Sequence, residues 1–446
     1  MLFRQFVDDD LGCASYLVGD EQAGVAVVVD PAYAIERYLE QAERDGVRIV
    51  RTLETHTHAD HVSGHGRLAL EHESPVSIHP AAEPDYPYDA LADGDELELG
   101  EVVVTVLHTP GHRPEHCAFA VADRSRAVEP WLVLTGDSLF VGDAARPDLA
   151  IDAHEGAEGL FSSLQRLLEL EDGVEVYPGH VAGSLCGAGM SSKASSTIGF
   201  ERRFNHALAL GGVEDFVADS VRSVGVRPPN VAWIVGLNRG PFLGPPEPLP
   251  SLDTPGDARV LDVRPAEMFA AGHVAGALSV PLTSSAFGTK AGFLFAPEDA
   301  LAIHAATPSD ADEAGRRLQA VGLLRLAGSL DDPPTPERLE PIGLDELEQL
   351  LADGRVQLVD VRETDERDEG YIPGSRHVPY RLVGAFADEL ENGKPVVTIC
   401  ESGSRAGIAA SVLAARGIDA RPVLLGGIPG WAKRGGRLVE FRRCGS

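Results

Sequence analysis

Apolar, strand-like runs dominate the first half of the chain, broken by polar and turn residues, and they predict strands. CASYLVG and GVAVVVD, the second ending at Asp30-Pro31, read as two of them. AIERYLEQAERDG changes to a helical spacing and predicts a helix closed by Gly46. Strand runs resume with VRIVRTLET, PVSIHP, ELELGEVVVTVLHTP, CAFAVA and WLVLTGD. GAEGLFSSLQRLLEL is then a second helix, ahead of the strand VEVYPGH. Strands interleaved with occasional helices predict an α/β domain. Several strands end in His or Asp, so the chemistry is expected at the strand ends.

Proline crowds residues 240–257 (GPFLGPPEPLPSLDTPGD) and 331–341 (DDPPTPERLEP), where neither a helix nor an inner strand can continue. Both stretches read as linkers. Between and after them lies an internal repeat: ARVLDVRPAEMFAAGHVAGALSVPL at 258–282 and VQLVDVRETDERDEGYIPGSRHVPY at 356–380. Each copy runs from a buried strand through Asp-Val-Arg to a short helix carrying an acid, then a small turn and a second strand. Two related α/β modules are expected after the first domain. The chain divides into residues 1–243, 244–335 and 336–446.

Composition narrows the function. A length of 446 residues suits several domains, and 43% hydrophobic with 24% charged residues is ordinary for a globular protein. The formal net charge of −31 opposes binding to nucleic acid or to an anionic membrane surface. The five cysteines are scattered and never spaced C-x-x-C, which argues for a reducing compartment and against disulfides or a zinc ribbon. The N-terminus carries acids where a signal peptide carries an apolar run, and no apolar stretch approaches the roughly 20 residues that span a bilayer. A cytoplasmic protein is expected.

The densest chemistry is THTHADH at 55–61, which supplies His56, His58, Asp60 and His61. Downstream, LHTPGH supplies His112, LTGDSLF supplies Asp137 and YPGH supplies His180, each on a turn after a strand and beside Gly111, Gly136 or Gly179. Imidazole and carboxylate on open loops suit zinc or iron. The set holds the parts of a two-His, one-carboxylate iron site and also those of a dinuclear zinc site. His65, His72, His79, His108 and His116 read as surrounding or surface groups. This ordered set resembles the metallo-β-lactamase superfamily, an αββα sandwich. The resemblance implies two adjoining metal sites, one from His56, His58 and His112, the other from Asp60, His61 and His180, with Asp137 as the bridge.

The last module carries KPVVTIC, then ESGSR, then AGIAASVLAARG: a strand, Cys400, a loop ending in Arg405, and a helix closed by Gly417. Backbone N–H groups of such a loop cradle negative charge on the sulfur, and Arg405 is expected to add a fixed cation. The loop, with Asp360-Val361-Arg362 and LGGIPGWAKRG at 425–435, resembles the active-site loop of rhodaneses, which are sulfurtransferases. The middle repeat has no cysteine, so it is expected to be a rhodanese-like module without a nucleophile. Cys186 lies in a Gly/Ser/Ala-rich loop six residues beyond His180, where a thiol near the metal pocket and an incidental surface thiol are equally in keeping with the sequence. Cys13 and Cys117 read as core, and Cys444 as an exposed residue near the terminus.

Taken whole, the chain resembles persulfide dioxygenase–rhodanese fusion enzymes of sulfide detoxification. It is expected to fold as an N-terminal αββα sandwich followed by two rhodanese-like α/β domains. The resemblance implies one non-haem Fe(II) per chain, held by His56, His112 and Asp137. His58, Asp60, His61 and His180 would surround a second site that is left vacant. The substrates would be a low-molecular-weight thiol persulfide and O2, giving sulfite. Cys400, with Arg405, would pass sulfane sulfur to sulfite to form thiosulfate. The alternative is a dinuclear thioester hydrolase of glyoxalase II type, holding two Zn, fused to a sulfurtransferase. The sequence leaves a homo-oligomer open.

Overall fold

The computed structural model describes residues 1–147, 152–181, 191, 193–222 and 227–441. They group into two compact units, one of residues 1–246 with 319–322 and one of residues 247–318 with 323–446.

The first unit contains two six-stranded sheets. One holds β1 (Leu2–Val7), β2 (Ala14–Asp20), β3 (Val25–Val29), β4 (Arg48–Leu53), β5 (Val76–Ile78) and β6 (Asp89–Ala90) in sequence order. The other runs, in spatial order, β12 (Ser196–Thr197), β11 (Glu175–Pro178), β10 (Leu132–Gly136), β9 (Cys117–Asp123), β8 (Val102–His108) and β7 (Glu96–Leu99). Strand side chains alternate between faces, and here both faces are apolar. Tyr16, Val18, Phe119, Val121, Leu132 and Leu134 point into one core shared by the two sheets. Leu17, Ala26 and Val28 point outward, under the helices α1 (Glu36–Asp45) and α2 (His65–His72). Ala118, Val133 and Val176 point the other way, under α3 (Ala153–Leu167), α4 (Ile198–Phe204) and α5 (Val213–Arg222). The layers are therefore αββα, as the sequence implied. α1 ends where the sequence placed its stop: Gly46 adopts φ 68° and caps Ala42 and Glu43. The first strand, β1, carried no clear alternation and was not anticipated. α6 (Val231–Arg239) is the last helix of the 1–246 stretch.

The second unit holds two parallel sheets. The first comprises β13 (Ser251–Leu252), β14 (Arg259–Asp262), β15 (Leu278–Ser279), β16 (Leu301–His304) and β17 (Leu326–Leu330), with helices α7 (Ala266–Ala271), α8 (Phe287–Leu294) and α9 (Pro308–Ala320). The second comprises β18 (Gln357–Asp360), β19 (Arg376–His377), β20 (Val396–Ile399) and β21 (Ala420–Pro422), with α10 (Leu344–Ala352), α11 (Thr364–Glu369), α12 (Ala387–Leu390), α13 (Ser404–Ala414) and α14 (Gly427–Lys433). The orders β17-β16-β14-β15 and β21-β20-β18-β19 are the same arrangement. In both copies the Asp-Val-Arg arginine folds back on its own aspartate, at 2.6 Å for Arg264–Asp262 and 2.7 Å for Arg362–Asp360. The repeat in the sequence is thus a repeat in topology. The stretch 240–257 is not wholly irregular, because Ser251–Leu252 pairs with β17 as an edge strand. Among the described residues, no helix is long and apolar enough to cross a membrane.

Candidate metal centre and cysteine loop

The strand ends β3, β4, β8, β10 and β11 deliver Asp30, THTHADH, His112, Asp137 and His180. The THTHADH loop is pinned from several sides. Thr55 donates from its N–H to Asp30 Oδ1 at 2.7 Å and from its hydroxyl to Oδ2 at 2.8 Å. Its carbonyl accepts from the N–H of Cys117 at 2.8 Å. Asn238 on α6 donates to the carbonyls of His58 (3.0 Å) and His61 (2.8 Å), and accepts from the N–H of Ser63 (2.8 Å). Every one of these groups is buried, so the loop has little freedom.

His56, His112 and Asp137 are buried and bring donor atoms within 4.8 Å of one another. His112 Nε2 lies 3.6 Å from Asp137 Oδ2. The far ring nitrogens are occupied: His56 Nδ1 meets the Thr55 hydroxyl at 2.9 Å, and His112 Nδ1 donates to the Arg146 carbonyl at 2.8 Å. Each imidazole is left with Nε2 for a metal, with orientation set from behind. Burial first, and for His56 then the charge of His58, lowers both imidazole pKa values, which favours the neutral rings a metal needs. Burial works against the Asp137 carboxylate, but the charge of His180 and a 2.7 Å hydrogen bond from its Nδ1 hold it at about 2. His116, taken from the sequence as a surrounding group, is buried and accepts the Asp137 N–H on Nε2 at 2.9 Å. Burial above all, with His112 close by, brings it to about 3. Two neutral imidazoles and one carboxylate fit a divalent transition metal with open positions.

The rest of THTHADH faces elsewhere. His58 Nε2 lies 3.2 Å from Asp30 and 3.1 Å from Glu54. Burial would lower its pKa, but the Asp30 and Glu54 carboxylates raise it well above the ordinary imidazole value. Two candidate groups result: His56 and His112 with Asp137, and His58 with Asp30 and Glu54, the His56 and His58 rings lying 4.3 Å apart. Asp60 accepts from His180 Nε2 at 2.7 Å and lies 3.1 Å from His61 Nδ1. Both nitrogens of His180 are thus spent on carboxylates, those of Asp60 and Asp137.

Cys13 is buried, as the sequence predicts. Its sulfur also lies 3.4 Å from Asp60 and 3.5 Å from His61 Nδ1, beside the site, which the sequence did not indicate. Asp30, Glu54 and Asn238 were not picked out. Asp30 ends a strand as the ligands do, which was a usable signal; Asn238 lies far away in sequence on a helix and gave none. Cys186 and Cys444 lie outside the described residues.

In the last module, β20 delivers Cys400, fully buried, and the N–H of Gly403 donates to its sulfur at 3.1 Å. Two glycines make the loop possible. Gly403 has φ 109°, and a Cβ there would lie 2.0 Å from the Leu424 carbonyl. Gly427 has φ 47°, and a Cβ there would lie 2.3 Å from the Cys400 carbonyl. Arg405 is not a lone cation. Glu366 grips it with two bonds of 2.5 and 2.6 Å, and although burial lowers its pKa, this pairing raises it. Its positive charge is therefore matched within the fold.

The sandwich with its strand-end ligands, followed by this loop, defines a metallo-β-lactamase-fold protein that carries a rhodanese-like domain. Residues 8–180 match the metallo-beta-lactamase superfamily, and residues 343–434 match the rhodanese-like domain. The mitochondrial persulfide dioxygenase ETHE1 of Bos taurus is 30% identical over 49% of this chain and 79% of its own length. An uncharacterized protein of Mycobacterium leprae is 32% identical over 46% of this chain and 97% of its own. A metallo-beta-lactamase from Staphylococcus aureus has a solved structure that covers 75% of this chain and 99% of its own, at 28% identity and a TM-score of 0.68. The chain belongs to the persulfide dioxygenase–rhodanese fusion family.

Proposed function

We propose that the first unit is an iron(II) persulfide dioxygenase and that Cys400 is a sulfur carrier. A low-molecular-weight thiol persulfide, O2 and water would give the free thiol and sulfite. The observation that carries this reading is the buried triad of His56, His112 and Asp137, in one chain with a rhodanese-type cysteine loop. His56 and His112 would hold the iron through Nε2 and Asp137 through a carboxylate oxygen. When bound, iron(II) supplies the redox chemistry that couples O2 to a persulfide sulfur. The chain fixes the ligands: Thr55 orients His56, the Arg146 carbonyl orients His112, and His180 keeps Asp137 ionised.

At Cys400, a persulfide would be held as an anion by the loop N–H groups. Its outer sulfur would pass to sulfite: the Cys400 S–S bond breaks, an S–S bond to sulfite forms, and thiosulfate leaves with the Cys400 thiolate restored. Together these steps suit sulfide detoxification. The competing reading is a dinuclear thioester hydrolase, in which His180, His61 and Asp60 would share a second ion; the buried two-His, one-carboxylate triad supports the single-iron reading. The test is metal analysis of anaerobically purified protein followed by an oxygen electrode. One iron per chain and O2 uptake on adding glutathione persulfide are expected. Two zincs, thioester cleavage and no O2 uptake would overturn the reading.

A further inference from the structure

The module without a nucleophile has lost its own loop. Asp262 pairs with His304 as Asp360 pairs with Ile399, so Ala305 stands in the place of Cys400. Five residues beyond each, Asp310 stands where Arg405 does. The loop has become a plain helix start: Thr307 caps α9 by accepting the Asp310 N–H at 3.1 Å, and Pro308 follows the cap. An acid in the place of the arginine is the wrong charge for an anion.

What this module keeps is its grip on α13, the helix that rises from the Cys400 loop. Ser404, Gly407 and Ser411 stand at i, i+3 and i+7, on one helix face. The Ser284 and Ser404 hydroxyls meet at 2.9 Å. A Cβ at Gly407 would lie 3.5 Å from Ala266 Cβ, so the surfaces are in contact there. The Ser411 hydroxyl accepts the Ser279 N–H at 3.0 Å. Of the three contacts, only the first is on the loop itself: Ser404 lies between Gly403, whose N–H holds the Cys400 sulfur, and Arg405.

We infer that the nucleophile-less module is the fixed wall of the Cys400 loop, and that Ser284 is a positioning residue for sulfur transfer, acting through Ser404 on an oxyanion donor such as thiosulfate. Ser284 is buried, and its hydroxyl meets that of Ser404. Holding Ser404 fixes the loop N–H groups that receive the sulfonate oxygens. The step it serves is balanced: the Cys400 thiolate attacks the outer sulfur of thiosulfate, that S–S bond breaks, and sulfite departs with the electron pair. The inference rests on the sulfur-carrier reading of Cys400.

The test uses full-length protein, thiosulfate as donor and cyanide as acceptor. Ser284→Ala should raise KM for thiosulfate about three- to tenfold, the worth of one hydrogen bond, with kcat within about twofold. Ser284→Thr, which keeps the hydroxyl, should restore KM, separating the bond from misfolding. In a double-mutant cycle, Ser284→Ala with Ser404→Ala should cost no more than the larger single change. A KM for Ser284→Ala within twofold of wild type, failure of Thr to rescue, or additive costs would overturn the inference. Mass spectrometry of the Cys400 peptide after thiosulfate treatment tells the two failures apart. If wild type gains a sulfur and Ser284→Ala behaves identically, this inference alone falls; if wild type gains none, the carrier reading falls with it.

Discussion

Asp137 and His180 are joined by a 2.7 Å hydrogen bond between Oδ1 and Nδ1, while the other oxygen of Asp137 faces His112. His180 is anchored in turn by Asp60 at 2.7 Å. Asp60 and His180, which the resemblance assigned to a second metal site, are thus placed to support one ligand of the first. His180→Ala should weaken iron retention by about 10- to 100-fold, the usual cost of losing an outer partner, without abolishing binding. Iron content after graded chelator dialysis checks this. A variant that keeps iron as wild type does would show that His180 does not support Asp137.

Asp137→Ala removes a ligand rather than its support. Oxygen uptake should fall to background, and thiosulfate:cyanide sulfur transfer should stay within about twofold of wild type, as expected for independent sites. Loss of both activities would show that the two units do not work separately.

Cys400→Ser should give the reverse result. Sulfur transfer should vanish, while O2 uptake and sulfite formation continue. Because the sulfur sits in a loop of fixed N–H groups and a serine oxygen forms no persulfide, no partial activity is expected. Unchanged thiosulfate output would remove Cys400 from the pathway.

The reach of the sequence differed between strand ends and side-chain directions. Continuous apolar runs placed β2, β3, β8, β9 and β10, because both faces of each sheet are buried and nearly every residue along these strands must be apolar. His56, His112 and Asp137 were legible as candidates because each follows a strand run, but singling them out among seven rested on the family resemblance and not on spacing. What spacing could not show is where an imidazole points. His58 lies two residues from His56, yet it turns to Asp30 and Glu54, and neither of these was visible as its partner. Arg405 was visible as a cation, but its pairing with Glu366 depends on a helix 39 residues earlier in sequence. Cys13 was taken for core because it leads into an apolar strand, although its sulfur is turned to the site.

Glu366 also gives a pH prediction. Burial raises its carboxyl pKa, but Arg405 outweighs burial and holds it below the ordinary value of 4.5. A carboxyl lowered in the folded state contributes stability that is present above its unfolded pKa and is lost as pH falls through the folded one. The melting temperature of the second unit should therefore drop between about pH 5 and pH 3. Glu366→Gln should lower it at neutral pH and flatten that part of the acid dependence. An identical acid profile for the variant would show that the pair contributes nothing.

Asn238 is the most exacting test of the loop architecture, because no chemistry passes through it. It lies on α6, 177 residues from His61, and only the fold brings the two together. Its amide donates to the His58 and His61 carbonyls, and its oxygen accepts the Ser63 N–H, all in buried surroundings. Asn238→Ala strands two carbonyls and one N–H. At about 1–3 kcal/mol for a buried group left unsatisfied, with water reaching some of them, a loss of about 2–4 kcal/mol is expected. Asn238→Asp keeps the acceptor, removes both donors and sets a carboxylate against two carbonyl oxygens, so it should be no better than alanine. The loop that carries His56 would loosen, and iron retention should fall together with the melting temperature of the first unit, while Cys400 transfer is unaffected. Calorimetry and iron content measured on the same samples decide it: melting as in wild type for both variants would mean that α6 does not hold the metal loop.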